Sequence, residues 1–237
     1  MNCEQRIDKC FVRELEVTAL SGENVKLLIS QKWIGDVGVV VWDSALMFSK
    51  FLERRSQLNP QYFRNKVALE LGAGTGICGL VASVLGCDVI LTDIPSIVPL
   101  LETNIENNKD LIALCGRKVV AHSWKWASFD TFEQVLRCLE SNTMSLDYVF
   151  ISDCIYYEQG MHSLIESIIW LCERFKNSLE IYLCYEEREE HSALVETFFR
   201  SLSSTSTISW TEIGAEEHDP CFTSPDIHLI LIKPVKQ

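Results

Sequence analysis

Three glycines and two carboxylates stand at a spacing that suits a ligand bearing a ribose. The run Glu70-Leu71-Gly72-Ala73-Gly74-Thr75-Gly76 ends an apolar stretch, and Asp93 follows Gly76 by 17 residues. Glycine is needed where a backbone turns sharply and lies against a ligand, because a Cβ would block the approach. A dinucleotide fingerprint, G-x-G-x-x-G, requires glycine at position 77, where this chain has Ile77. The spacing G-x-G-x-G behind a carboxylate departs from a diphosphate cradle. It fits a cofactor carrying a sulfonium and an amino acid, with Glu70 orienting the loop and the cofactor's ammonium group. Asp93 has two readings. It accepts both hydrogen bonds of a ribose diol, or it caps the helix expected next; the glycine loop in register with it favours the ribose.

A second constellation is Asp153-Cys154-Ile155-Tyr156. A carboxylate there can orient a cation and accept a hydrogen bond from an amine. Tyr156, with Tyr157 beside it, offers an aromatic wall to an alkylammonium. The competing reading is a strand-end Asp that caps the following helix, with the tyrosines in the core. Cys154 has no evident His or Lys activator and reads as structural.

These residues need elements that carry them to one edge of a sheet. Strands are expected at 11–18 and 25–31, joined through Ser21-Gly22-Glu23-Asn24, followed by a helix over 42–55. From residue 66 strands and helices alternate: strands 66–71, 87–93, 117–121, 146–152 and 178–184, with helices 77–85, 96–109 (Pro95 just before its start), 130–140, 158–174 and 190–202. Strands 207–213 and 226–233 have no helix between them and are expected to pair antiparallel. The alternation predicts an α/β fold, a Rossmann-like, seven-stranded, mostly parallel sheet whose last strand is antiparallel, plus the N-terminal β-hairpin. The length predicts a single domain over 1–237, with 1–35 as the hairpin extension and 36–237 as the seven-strand core. The hairpin either helps select a substrate or covers one side of the sheet.

The run E-L-G-A-G-T-G and the T-D that ends the next strand resemble the first two motifs of class I methyltransferases. V-V-V-W-D (39–43), W-K-W (124–126), S-D-C-I-Y-Y-E (152–158), C-Y-E-E-R (184–188) and S-P-D-I-H-L-I-L-I (224–232) narrow the likeness. Together they resemble the family 16 protein-lysine methyltransferases, and within that family the subgroup acting on the valosin-containing AAA ATPase. The resemblance runs from about Trp33 to Ile232. It implies S-adenosylmethionine as cofactor, with contacts from Trp42, Gly72, Ala73, Gly74, Asp93, Trp126 and Ser152. Trp42 and Trp126 are flat surfaces suited to the cofactor, though for either tryptophan alone a core role is the commoner explanation. Many relatives carry alanine in place of Ser152, and a main-chain contact to adenine would tolerate either residue. The resemblance also implies that Asp153 and Tyr156 serve an acceptor lysine on a protein partner.

Lysine has an ordinary pKa near ~10.4, so such a site must lower that value or remove a proton. Enzymes that methylate planar amides or amidines commonly carry an N-P-P-Y-like segment, and D-C-I-Y suits a cation better.

The chain has 21 basic and 33 acidic residues, a net charge of −12, and no basic cluster beyond pairs such as Arg54-Arg55. A nucleic-acid partner is not expected. Two acidic clusters, Glu186-Glu187-Arg188-Glu189-Glu190 and Glu216-Glu217-His218-Asp219, are expected in loops, with His218 at the surface. They read as solvated faces or as a docking rim for a basic protein surface. The ten cysteines are scattered without a C-x-x-C pair or local His partners, so neither a metal site nor a disulfide framework is expected. No membrane segment or secretory signal stands out, which points to the cytoplasm. Two alternatives stay open: a methyltransferase for a small molecule or another protein side chain, and a non-catalytic binding module on the same fold.

Overall fold

The computed structural model describes residues 10–33, 35–137, 145–176 and 178–235. Two antiparallel strands, β1 (Cys10–Thr18) and β2 (Asn24–Lys32), come first, then α1 (Asp43–Leu58). The alternating part is β3 (Lys66–Leu71), α2 (Ile77–Val84), β4 (Cys87–Asp93), α3 (Val98–Asn107), α4 (Lys109–Leu114), β5 (Val119–Ser123), α5 (Phe132–Arg137) and β6 (Tyr148–Ser152). It continues through α6 (Glu158–Arg174), β7 (Glu180–Glu186), α7 (Ser192–Ser203), β8 (Ile208–Glu212) and β9 (Ile227–Pro234).

The seven-stranded sheet has the order β5-β4-β3-β6-β7-β9-β8. Pairings from β5 to β7 are parallel, and β9 runs antiparallel to both β7 and β8. This is the expected mixed sheet. Strands such as β3, buried at five of six positions, read as near-continuous apolar runs because helices cover both faces. On one face Phe48, Phe51, Leu80, Val81 and Leu101 pack over Phe150 and Tyr182. On the other, Phe132, Leu164, Ile168 and Phe198 pack over Leu69, Val149 and Ile181. Strand order reverses between β3 and β6, which opens a crevice at their carboxyl ends.

The hairpin lies on the helices rather than on the sheet. Leu15, Val17, Leu27 and Ile29 join the apolar layer of α1 and α2. Asn104 on α3 accepts the Ser30 N–H (2.7 Å) and donates to the Ser30 and Thr75 carbonyls (3.1 and 2.8 Å).

The helix expected over 96–109 begins instead at Val98, with Pro99 rather than Pro95 in its first turn, and ends at Asn107. The amide of Asn108 donates to the Leu28 and Asn104 carbonyls, and such side-chain bonds compete with the helical ladder. The chain then resumes as α4. The helix expected over 130–140 is a 3₁₀ turn, Phe129–Thr131, followed by α5; residues 138–140 lie outside the described residues.

Candidate functional site

The loop after β3 carries Gly72 and Gly74 at φ +61° and +56°, where an L side chain is strained. A Cβ on Gly72 would stand 2.7 Å from Cys154 Sγ and 3.0 Å from the Trp126 ring, and one on Gly74 would stand 2.8 Å from the Gly38 carbonyl oxygen. The loop is therefore pressed between the β6 loop and the segment before α1, and it leaves a cradle that only a bare backbone can line.

Asp93 at the end of β4 accepts the Gly74 N–H at 2.8 Å and the Ile94 N–H at 2.7 Å. It does not cap α3, whose N-cap is Ile97. A carboxylate has about four lone-pair sites, so two remain for a diol. Burial raises its pKa, opposed by the two N–H bonds. Glu70 is 2% exposed, and its carboxylate accepts the Gly79 N–H at the start of α2 (2.8 Å). Burial pushes the Glu70 carboxyl up to about 8.

Asp153 follows β6 at φ +54°. It caps no helix: α6 begins at Glu158 with Tyr157 as N-cap. Its Oδ1 accepts the Glu186 N–H (3.3 Å) and Arg188 Nη1 (3.2 Å), while Oδ2 accepts Arg188 Nη2 (2.7 Å). Arg188 also pairs with Glu186, and its guanidinium lies 5.2 Å from the centre of the Trp42 ring. Trp42 is 39% exposed, so it is not a core residue, and its Nε1–H donates to the Val37 carbonyl. Tyr156 is half-buried and packs on Tyr157 at 4.7 Å between ring centres. Burial raises both phenols, further raised by the surrounding thiol and carboxyl groups. Cys154 is buried and its thiol is held well above the ordinary range, first by burial and then by Asp93, Asp153 and Glu70. Its burial fits the structural reading of this cysteine.

All ten candidate residues, Trp42, Glu70, Gly72, Ala73, Gly74, Asp93, Trp126, Ser152, Asp153 and Tyr156, line one cavity of about 1060 Å³. That volume is at the upper end for small-molecule sites and is large enough for a nucleoside joined to an amino acid. Arg188, Asp36, Lys125 and His191 line it too. In the sequence Arg188 stands only as part of C-Y-E-E-R and inside an acidic run. Its signal was a lone arginine just beyond a strand that neighbours Asp153. Among the described residues, no group of three or more His, Cys, Asp or Glu is placed to hold a metal ion.

The second acidic cluster is not the free rim it resembles. Glu217 pairs with Arg55 (2.9 Å). His218, expected at the surface, is 5% exposed and meets the Phe51 ring edge-on. Burial lowers its pKa. Its place against α1 follows from the 3₁₀ turn Ala215–Glu217, which folds the chain back onto that helix. In the first cluster Glu186 and Glu187 are engaged by Arg188 and His228.

The lysine methyltransferase family profile matches residues 21–205. A mouse protein named EEF1A lysine methyltransferase 3 is 32% identical over 75% of this chain and 68% of its own length. A human sequence described as a methyltransferase-like protein 21E pseudogene is 30% identical over 70% of this chain, and the match spans only 59% of that relative's length. The T. thermophilus 16S rRNA N2 G1207 methyltransferase, solved with S-adenosylmethionine and guanosine, superposes with a TM-score of 0.58 at 15% identity. That match covers 100% of this chain and 53% of the other, and it speaks for the fold alone. With more than half of its length matched by the family profile, the chain belongs to the lysine methyltransferase family.

Proposed function

We propose that this protein is an S-adenosylmethionine-dependent protein-lysine N-methyltransferase. The observation that carries the reading is the meeting of a glycine cradle, a strand-end carboxylate and an Asp-Tyr pair in one cavity of a member of the lysine methyltransferase family. The residues fit the cofactor. Asp93 has lone pairs left for the ribose, Gly72, Ala73 and Gly74 offer a bare backbone, and Glu70 would orient the loop and the ammonium group. Trp42, Trp126 and Ser152 line the same cavity, where the two rings would flank the cofactor and the Ser152 main chain would meet the adenine. Bound S-adenosylmethionine supplies a methyl group on a sulfonium.

The chain's own task is to hold an acceptor nitrogen in line, about 3 Å from that methyl carbon. Asp153 accepts a hydrogen bond from the amine, and Tyr156 with Tyr157 walls its stem. Partial burial and the positive charge of the sulfonium would disfavour the ammonium form, which cannot attack. The net charge of −12 favours a protein acceptor over a nucleic acid. The buried free thiols Cys78, Cys87, Cys154, Cys172 and Cys184 suit the reducing cytoplasm.

The sequence motifs favour the valosin-containing AAA ATPase as acceptor, and the mouse relative's name makes EEF1A the comparison. The test is intact mass of each purified acceptor after incubation with this protein and S-adenosylmethionine. Methyl-sized increments on lysines of the AAA ATPase, lost with Asp153→Asn, support the reading. Increments on EEF1A alone retain the enzyme class and refute the named acceptor.

A further inference from the structure

The carboxylate facing the acceptor is already held. Arg188 binds both oxygens of Asp153, at 3.2 and 2.7 Å, and stacks on Trp42. The Asp153 side chain is 7% exposed and Arg188's 21%, so solvent screens the pair weakly. The Glu186 N–H takes a further lone pair on Oδ1, which leaves room on Oδ2 for one more donor. That is one hydrogen bond for an incoming amine, with the charge of Asp153 offset.

An uncompensated carboxylate would act differently. Lys26 beside Glu14 and Lys109 beside Glu106 are both held above the usual lysine range by hydrogen bonding to, and the charge of, those carboxylates. An acceptor lysine treated in that way would arrive protonated and unreactive. We propose that Arg188 is a positioning residue that offsets the charge of Asp153, so that the site takes the acceptor lysine as a neutral amine. The proposal rests on the methyltransferase reading above and adds the protonation state of the acceptor to it.

The other charged groups do not take over this role. Glu186 faces Arg188 directly and would leave two carboxylates beside the amine if the guanidinium were removed. Asp36 and Asp93 act on the tyrosine wall. Glu190, His191 and Lys125 line the cavity, and Lys125 is exposed to screening solvent.

The test uses the full chain and two nitrogen-for-sulfur analogues of the cofactor, one bearing an aminopropyl arm and one a butyl arm. Calorimetry in two buffers of different ionisation enthalpy gives the protons released on binding each, and their difference belongs to the arm's amine. At pH 7 an amine of ordinary pKa near ~10.4 starts protonated. The wild type should release about one proton more for the amine arm, Arg188→Lys nearly as much, and Arg188→Met or Arg188→Gln less than about half. Equal release by wild type, R188M and R188Q, or no extra release by the wild type, overturns the proposal. S-adenosylhomocysteine binding by each variant shows that its cofactor site is folded. Its absence in the wild type would instead contradict the reading of the cavity.

Discussion

Glu70 carries a consequence that stability measurements can read. Its carboxyl is buried and pushed up to about 8 from 4.5, so the folded protein keeps a proton that the unfolded chain gives up between those values. Stability from this group is therefore full below the unfolded value and is lost as pH rises through the folded one. The slope is at most about 1.4 kcal/mol per pH unit. Thermal unfolding of the cofactor-free protein should show a melting temperature that falls from pH 5 to 8 and a flatter profile for Glu70→Gln. Gly72→Ala forces a side chain into the left-handed region and against Cys154 Sγ, costing roughly 1–3 kcal/mol. Calorimetry should show S-adenosylmethionine affinity reduced at least about tenfold, equivalent to ~1.4 kcal/mol, and partly recovered when Cys154→Ala is added. Much of the cavity is legible in the sequence because its residues cluster where apolar runs end: Glu70, Asp93 and Asp153 all stand at strand ends. Arg188 was not, since its partner across the sheet is 35 residues away and its neighbours in the chain are acids. His218 was missed for a like reason, because a polar local sequence gives no hint of the Phe51 ring that covers it.

At the scale of elements, β3 and β4 begin and end where their apolar runs do, because both faces of a central strand are buried. The division between α3 and α4 is invisible from local pattern. It comes from Asn108, whose side chain bonds to a hairpin strand 80 residues away. Asn104 makes a similar tie that reaches the glycine loop through the Thr75 carbonyl. Asn104→Ala leaves the Ser30 N–H and two carbonyls without these partners, a loss of about 2–4 kcal/mol when each buried group costs ~1–3 kcal/mol and solvent repairs some. Differential scanning calorimetry should show that loss, accompanied by weaker cofactor binding. Weaker stability with unchanged cofactor affinity would mean that the hairpin is only a cover.

For the whole molecule, the sheet order and the crevice at its reversal follow from the βα alternation that the sequence displays. The side the hairpin covers does not, because its apolar residues match a helix layer as well as a sheet face. We propose that the hairpin and the seven-stranded core unfold as one unit. Removal of residues 1–35 strips Leu15, Val17, Leu27 and Ile29 from the apolar layer over α1 and α2, and loss of a cooperative thermal transition is expected. A truncated chain that melts cooperatively at the wild-type temperature would show the hairpin to be independent.

The most direct measurement is transfer of a deuterated methyl group from S-adenosylmethionine into the proteins of a cell extract, read by peptide mass spectrometry for this protein and for Asp153→Asn. Label on lysine side chains, present with the wild type and reduced at least tenfold with the variant (~1.4 kcal/mol in transition-state terms), is the expected result. Label that depends on this protein but sits on arginine or glutamine, or no added label from a protein that binds the cofactor, would contradict lysine as the acceptor.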